Sequence, residues 1–304
     1  MALPKHASTL ERVWHYTYLV ICGLIFLFLI APILVVIPLS FNVQPYFTFT
    51  EGMLRLDPDA YSMRWYDLLL TFGTQSEGSG ARNLSWWRDV WSNAAWVNAA
   101  KNSVIIGVFS TLLATVLGTL AALGLARPEM PFRRAIMAIL ISPMIVPIII
   151  TATGLFFFYS ATGLANSYVG IVMAHATLGI PFVIITVTAT LVGFDHSLTR
   201  AAASLGANPR TTFFKITMPL ILPGVISGAL FAFVTSFDEV VVVLFVAAHD
   251  QQTIPRQMWN GIREQISPAI LSVATILVVI SILLLTTVEL LRRRSERLRG
   301  LSPS

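Results

Sequence analysis

Six stretches of this chain are each long and apolar enough to cross a bilayer, and that leaves few folds open. A crossing helix needs about 20 residues with few charges. Such stretches lie near 17–40, 101–126, 134–159, 167–193, 219–246 and 268–291. In lipid, every backbone N–H and C=O must find its partner inside the protein, so runs of this length read as helices. The expected fold class is an all-α membrane protein, one domain over 1–304 with six transmembrane helices. Only 12% of residues are charged, about half the share of an ordinary soluble domain. The first run is too long for a signal-peptide core and reads as a retained anchor.

The net charge of +5 is better read by position than by sum, and it calls for no nucleic-acid partner. An even number of crossings puts both termini on one side. With the termini in the cytoplasm, the inside positions are Lys5, Arg12, Arg127, Arg133, Arg134, Arg200, Arg210, Lys215, Arg292, Arg293, Arg294, Arg297 and Arg299. Most of the 20 Lys and Arg residues then lie in short inner segments, as the positive-inside tendency requires. The C-terminal arginines fall where anionic lipid attracts them. Cys22 is the single cysteine, which excludes a disulfide framework within the chain and any cysteine metal site.

The outer segment, 41–100, holds Trp65, Trp86, Trp87, Trp91 and Trp96 and a Gly/Ser-rich stretch at 73–80. It reads as short helices on the membrane surface, where indoles prefer to sit, with contact to an external partner as the other reading. The inner segment 194–218 is a polar-to-amphipathic elbow. A short helix should end at Leu205, with Gly206 as its left-handed stop. Asn208-Pro209 should cap and open a second helix. Arg200, Arg210 and Lys215 lie on this elbow, with Phe213-Phe214 as an apolar knob. It reads as a docking handle for a cytoplasmic partner.

Inside the runs, Pro143, Pro147 and Pro181 are expected to kink spans three and four. Gly107, Gly118 and Gly124 should let span two approach its neighbours closely. Asp238 and Glu239 fall roughly mid-way along span five, and no basic residue in any span stands out as a partner. A carboxylate at that depth costs several kcal/mol unless paired, neutralised or hydrated. A cationic substrate is one partner, with Phe231, Phe237 or Tyr159 as aromatic faces for an alkylammonium; capping of broken helix backbone is the other. Neighbours on a helix point about 100° apart, so the two acids should not both face one pathway. His175 is expected to hydrogen-bond a neighbouring helix. None of the lysines (Lys5, Lys101, Lys215) follows glycine, so the Gly-Lys-Ser/Thr core of a phosphate-cradling loop is missing. No nucleophile–base pair stands at a catalytic spacing, and no enzyme is expected.

The elbow resembles the Glu-Ala-Ala…Gly…Ile-x-Leu-Pro signature of permease subunits in binding-protein-dependent ABC importers. Ala201, Ala202, Gly206, Ile216 and Pro219 match it, and Met218 replaces its leucine. Arg200 stands where the signature has glutamate, so what carries over is the shape requirement of Ala-Ala and Gly. Within that superfamily the chain is most similar to polyamine permeases, through Asn102-Ser103, Ser236-Phe237-Asp238-Glu239, Ile262-Arg263 and Ser267-Pro268. The resemblance implies a type I importer permease fold in a bacterial inner membrane. It also implies a second, different permease chain, two ATP-binding subunits that hold ATP and Mg, and an external solute-binding protein. The cargo would be a small cation such as a polyamine, with an opine or another small solute as alternative. Arg200, Ala201, Ala202, Gly206, Arg210, Phe213 and Pro219 would couple to the ATPase. The rival class is an ion-coupled secondary transporter with Asp238, Glu239 and His175 as its proton route.

Overall fold

A computed structural model describes residues 8–75, 82–127, 129–195, 197–264 and 267–298. In chain order its helices are α1 (Thr9–Leu39), α2 (Glu51–Leu54), α3 (Arg64–Thr71), α4 (Leu84–Asn93), α5 (Ala95–Leu125), α6 (Arg133–Ile145) and α7 (Ile148–Thr162). There follow α8 (Tyr168–Val192), α9 (Ser197–Ser204), α10 (Pro209–Thr212), α11 (Met218–Phe237), α12 (Val241–Val246), α13 (Ile254–Glu264) and α14 (Ala269–Leu298). Among the described residues, five helices are long and apolar enough to cross a membrane, or six if the bent pair α6 and α7 counts as one span.

The chain divides into two compact units. The first comprises 1–82 and 261–304, where α14 packs against α1 and α3. Ser8 opens α1 with a capping box, its hydroxyl accepting from the Glu11 amide and its own amide donating to the Glu11 carboxylate. Beyond α1 the chain is tied down by side chains. The Trp65 indole donates to the Asn42 carbonyl (2.6 Å), and Asn42 Nδ2 donates to the carbonyls of Tyr46 and Thr48. Ser272 of α14 reaches the Ser40 carbonyl at 3.2 Å. The second unit, 83–260, is built on α5, α8 and α11. A Cβ added at Gly118 would lie 2.7 Å from Val183 Cβ, so α5 and α8 touch backbone to side chain. A Cβ added at Gly107 would lie 3.1 Å from the Phe233 ring.

Several expectations need correcting. Span three is not one helix: α6 and α7 meet at 102°. Pro147 has no N–H and pushes Val146 into an extended conformation (ψ 137°), which ends α6. A Cβ added at Gly124 would meet no described atom within 4 Å, so no close approach requires glycine there. Span five ends early, because α11 stops at Phe237 and a break precedes α12. The elbow's second helix is not separate. α10 continues through a π-helical turn at Phe213–Thr217 into α11. The tryptophans divide too: Trp65 and Trp86 are buried, whereas Trp87 and Trp91 are exposed. Lys5, His196, the Gly/Ser-rich residues 76–81 and Arg299 lie outside the described residues.

Candidate functional site: the α11–α12 break and the elbow

The acids sit where α11 stops. Asp238 is the residue that caps α11, its amide still bonded to the Val234 carbonyl. Its side chain is exposed, and among the described residues no ion pair reaches it. It ends an open stripe along α11 that runs through Pro223, Ser227, Phe231 and Val234. Phe231 and Asp238 are seven residues apart, which leaves them within ~20° of the same helix face.

Glu239 points the other way. It is 8% exposed, and Oε1 accepts from the Val242 amide at 2.9 Å. The two adjacent carboxylates therefore have different surroundings: one is open, and the other is folded onto the first turn of α12. Capping of broken helix backbone, one of the two roles open to the pair from sequence, describes Glu239. The acids are not mid-helix as expected from sequence: they occupy the break between α11 and α12.

The three suggested aromatics are not gathered around one point. Phe231 is exposed and stacks on Phe182, with centroids 6.1 Å apart. Phe237 is half-buried and stacks on Phe233 at 5.7 Å. Tyr159 is 3% exposed inside an apolar cluster with Ile171, Ala174, Val242, Val243 and Val246. It is a core residue rather than a face offered to a ligand.

Just before the break, a polar cross-link joins three helices. Ser110 Oγ of α5 donates to Ser236 Oγ of α11 at 2.9 Å, and His175 Nδ1 of α8 lies 2.8 Å from the same hydroxyl. His175 is thus hydrogen-bonded to a neighbouring helix, and among the described residues no hydrogen bond links it to either acid. Its Nε2 is buried and has no hydrogen-bond partner among the described residues. The Ser236 role could not be read from sequence, because a serine in an apolar run most often bonds its own helix.

Beyond α12, the chain is fastened to α5. Asn102 Nδ2 donates to the carbonyls of Asp250 and Gln252, its Oδ1 accepts from the Tyr168 hydroxyl, and Ser103 Oγ accepts from the Ile254 amide. Arg256 of α13 donates through Nη1 to the Val243 and Ala247 carbonyls, at 2.8 and 3.1 Å. Burial lowers its pKa from the usual guanidinium value. Arg256 escaped notice in the sequence, since its partners are backbone carbonyls that leave no residue signature.

At the opposite end of α11, the elbow is built as its residues dictate. Asp195 accepts from the Ser197 amide to start α9. Gly206 adopts φ +81°; its amide donates to the Ala203 carbonyl and that of Ala207 to the Ala202 carbonyl. That pair of bonds is a Schellman stop. Asn208 Oδ1 accepts from the Thr211 amide, and Pro209 begins α10. Ala202 is buried, while Arg200, Ala201, Gly206, Arg210 and Lys215 are exposed. Leu205 is 88% exposed at the tip, and Phe213 is half-buried edge-to-face against exposed Phe214. Pro219 follows the π-helical turn, where the Met218 amide reaches back to the Phe213 carbonyl.

The chain as a whole is similar to known proteins. The family described as binding-protein-dependent transport system inner membrane component matches residues 114–298, which include the elbow, the break and α12 to α14. The spermidine/putrescine transport system permease protein PotC of Haemophilus influenzae is 29% identical over 272 residues, 90% of this chain and 95% of that protein. The putrescine transport system permease protein PotI of Escherichia coli K12 is 30% identical over 266 residues, 85% of this chain and 84% of that one. A bacterial ABC transporter involved in the import of the acidic polysaccharide alginate superposes with a TM-score of 0.66, over 94% of this chain and 99% of that one. Its sequence identity of 16% makes this a likeness of fold. With several apolar helices long enough to cross a membrane and a family match over residues 114–298, the chain belongs to the inner-membrane components of binding-protein-dependent transport systems, as a multi-pass permease.

Proposed function

We propose that this chain forms half of the translocation pathway of an ATP-driven importer for a small cationic solute, a polyamine being the class that fits best. The observation that carries this is Asp238: an exposed carboxylate at the end of the open α11 stripe, without an ion-pair partner among the described residues. At membrane depth an uncompensated carboxylate costs several kcal/mol, and an incoming ammonium group supplies the compensation. The names of PotC and PotI, which specify spermidine and putrescine, support a polyamine. Phe231, on the same stripe, offers an aromatic face to the alkyl chain or the ammonium.

A second, different permease chain completes the pathway, and an external solute-binding protein delivers the cargo. ATP and Mg2+ are bound by two separate ATPase subunits. Both termini are cytoplasmic, which puts the elbow, with Arg200, Arg210 and Lys215, on the ATPase side. Exposed Leu205 and the Phe213–Phe214 pair supply the apolar part of that contact. α10 runs without a loop into α11, so a displacement of the elbow is passed to the helix that ends at Asp238. Alternating access then requires the substrate to bind differently in the two states.

The test is ATP-dependent uptake of spermidine and putrescine by the complete complex in proteoliposomes. Asp238→Asn is expected to lower uptake while the complex still assembles by size-exclusion chromatography. Uptake equal to wild type would remove the carboxylate from the pathway.

A further inference from the structure

The helix after the break, α12, is six residues long, and Val242, Val243 and Val246 have no exposed surface. A segment of this length spans about 9 Å and cannot hold itself together, since isolated helices below ~12–15 residues are marginal. Its composition, Val-Val-Val-Leu-Phe-Val, is dominated by residues that lose side-chain freedom in a helix. It persists because it packs on α7 and α8 and because both of its ends are closed by side chains.

We infer that Glu239 and Arg256 are positioning residues that clamp α12 from its two ends and so fix where Asp238 stands, and that Glu239 does not bind the substrate. The Glu239 carboxylate takes the Val242 amide at 2.9 Å, at the positive end of the short helix. The Arg256 guanidinium takes the Val243 carbonyl in the last turn and the Ala247 carbonyl just beyond, at the negative end. The Val246 carbonyl is taken by the Asn166 amide at 2.9 Å. Neither charged group has an ion-pair partner among the described residues; each is compensated by helix backbone. Glu239 is 8% exposed with Oε1 on the Val242 amide, so to meet a passing cation in the open its carboxylate would have to turn out of its burial, and that would open the first turn of α12. Asp238 carries no such duty. The division of labour rests on the pathway role proposed for Asp238; the clamp itself does not.

Two measurements on the assembled complex separate them. Hydrogen–deuterium exchange of peptides covering 240–247 needs no substrate. Glu239→Ala and Arg256→Met are expected to speed exchange there about tenfold or more, whereas Glu239→Gln keeps an acceptor for the Val242 amide and exchanges as wild type. In the uptake assay with spermidine and putrescine, Glu239→Gln should leave KM within about twofold, and Asp238→Asn should raise it about tenfold. Unchanged exchange in both Glu239→Ala and Arg256→Met overturns the clamp. A KM rise in Glu239→Gln as large as that in Asp238→Asn shows that its charge binds cargo, and overturns the assignment. Should Asp238→Asn leave KM unaltered while the exchange results hold, the pathway reading fails and the clamp stands.

Discussion

Gly206 offers the sharpest test of whether the elbow transmits force. Its φ of +81° lies in the left-handed region, and a Cβ placed there meets no atom within 4 Å. A substitution therefore introduces no clash with neighbours, and its whole effect is the backbone preference. For an ordinary L-residue that preference costs about 1–2 kcal/mol, and a β-branched side chain adds to it. Alanine should thus shift the elbow toward other conformations by roughly 5- to 30-fold, and valine by more. Asparagine, which visits this region with less strain, should stay close to glycine. If the Schellman stop orients Leu205 for a motor, ATP hydrolysis stimulated by the loaded binding protein should fall in the order Gly, Asn, Ala, Val. Basal hydrolysis and complex assembly should change much less. Full stimulated hydrolysis in Gly206→Val would refute the reasoning, because no contact is available to compensate for the strain.

Other consequences follow from specific contacts. Ser236→Ala removes the hydroxyl shared by Ser110 and His175 and leaves the buried imidazole with no partner on either nitrogen. A cost of about 1–3 kcal/mol is expected, seen as a lower unfolding temperature of the purified complex; an unchanged midpoint would show the cross-link to be idle. Gly118→Ala places a methyl 2.7 Å from Val183 Cβ and should destabilise by about 1–3 kcal/mol in the same assay. Gly124→Ala, with nothing within 4 Å, should be neutral or gain about 0.5–1 kcal/mol of helix preference. Equal effects from the two substitutions would mean that α5 does not pack as described.

The legibility of this chain divides along a physical line. Local rules are readable: hydropathy places span four at 167–193, and α8 runs Tyr168–Val192, bounded by the Ser167 cap and Gly193. Gly206, Asn208 and Pro209 took the roles that their backbone preferences assign. Hydropathy could not separate one long helix from two short ones, because α7 and α12 are as apolar as the spans they interrupt. Pro147 announced a kink, but whether a proline bends a helix or ends it at 102° depends on what receives the second half. For α7 the receiver is α12, which packs against it in the cluster around Tyr159. Long-range pairings such as Asn102 with the 250–252 carbonyls, or Arg256 with Val243, are set by the fold and leave no spacing to read.

The break at 238–240 also explains how two adjacent acids can sit in an apolar run. In an unbroken helix both carboxylates would need compensation from outside, since the helix amides are already engaged. Ending α11 and restarting at α12 creates new free amides beside the acids, and Glu239 uses one of them. That leaves a single carboxylate, Asp238, whose compensation must come from elsewhere. The polar cross-link of Ser110, His175 and Ser236 lies in the turn just before it, so the end of α11 is held against α5 and α8 while Asp238 stays open. A mobile acid would surround itself with water or its own backbone; an acid at the end of a fixed helix keeps its charge available for a ligand, which is the condition a transient cation site has to meet.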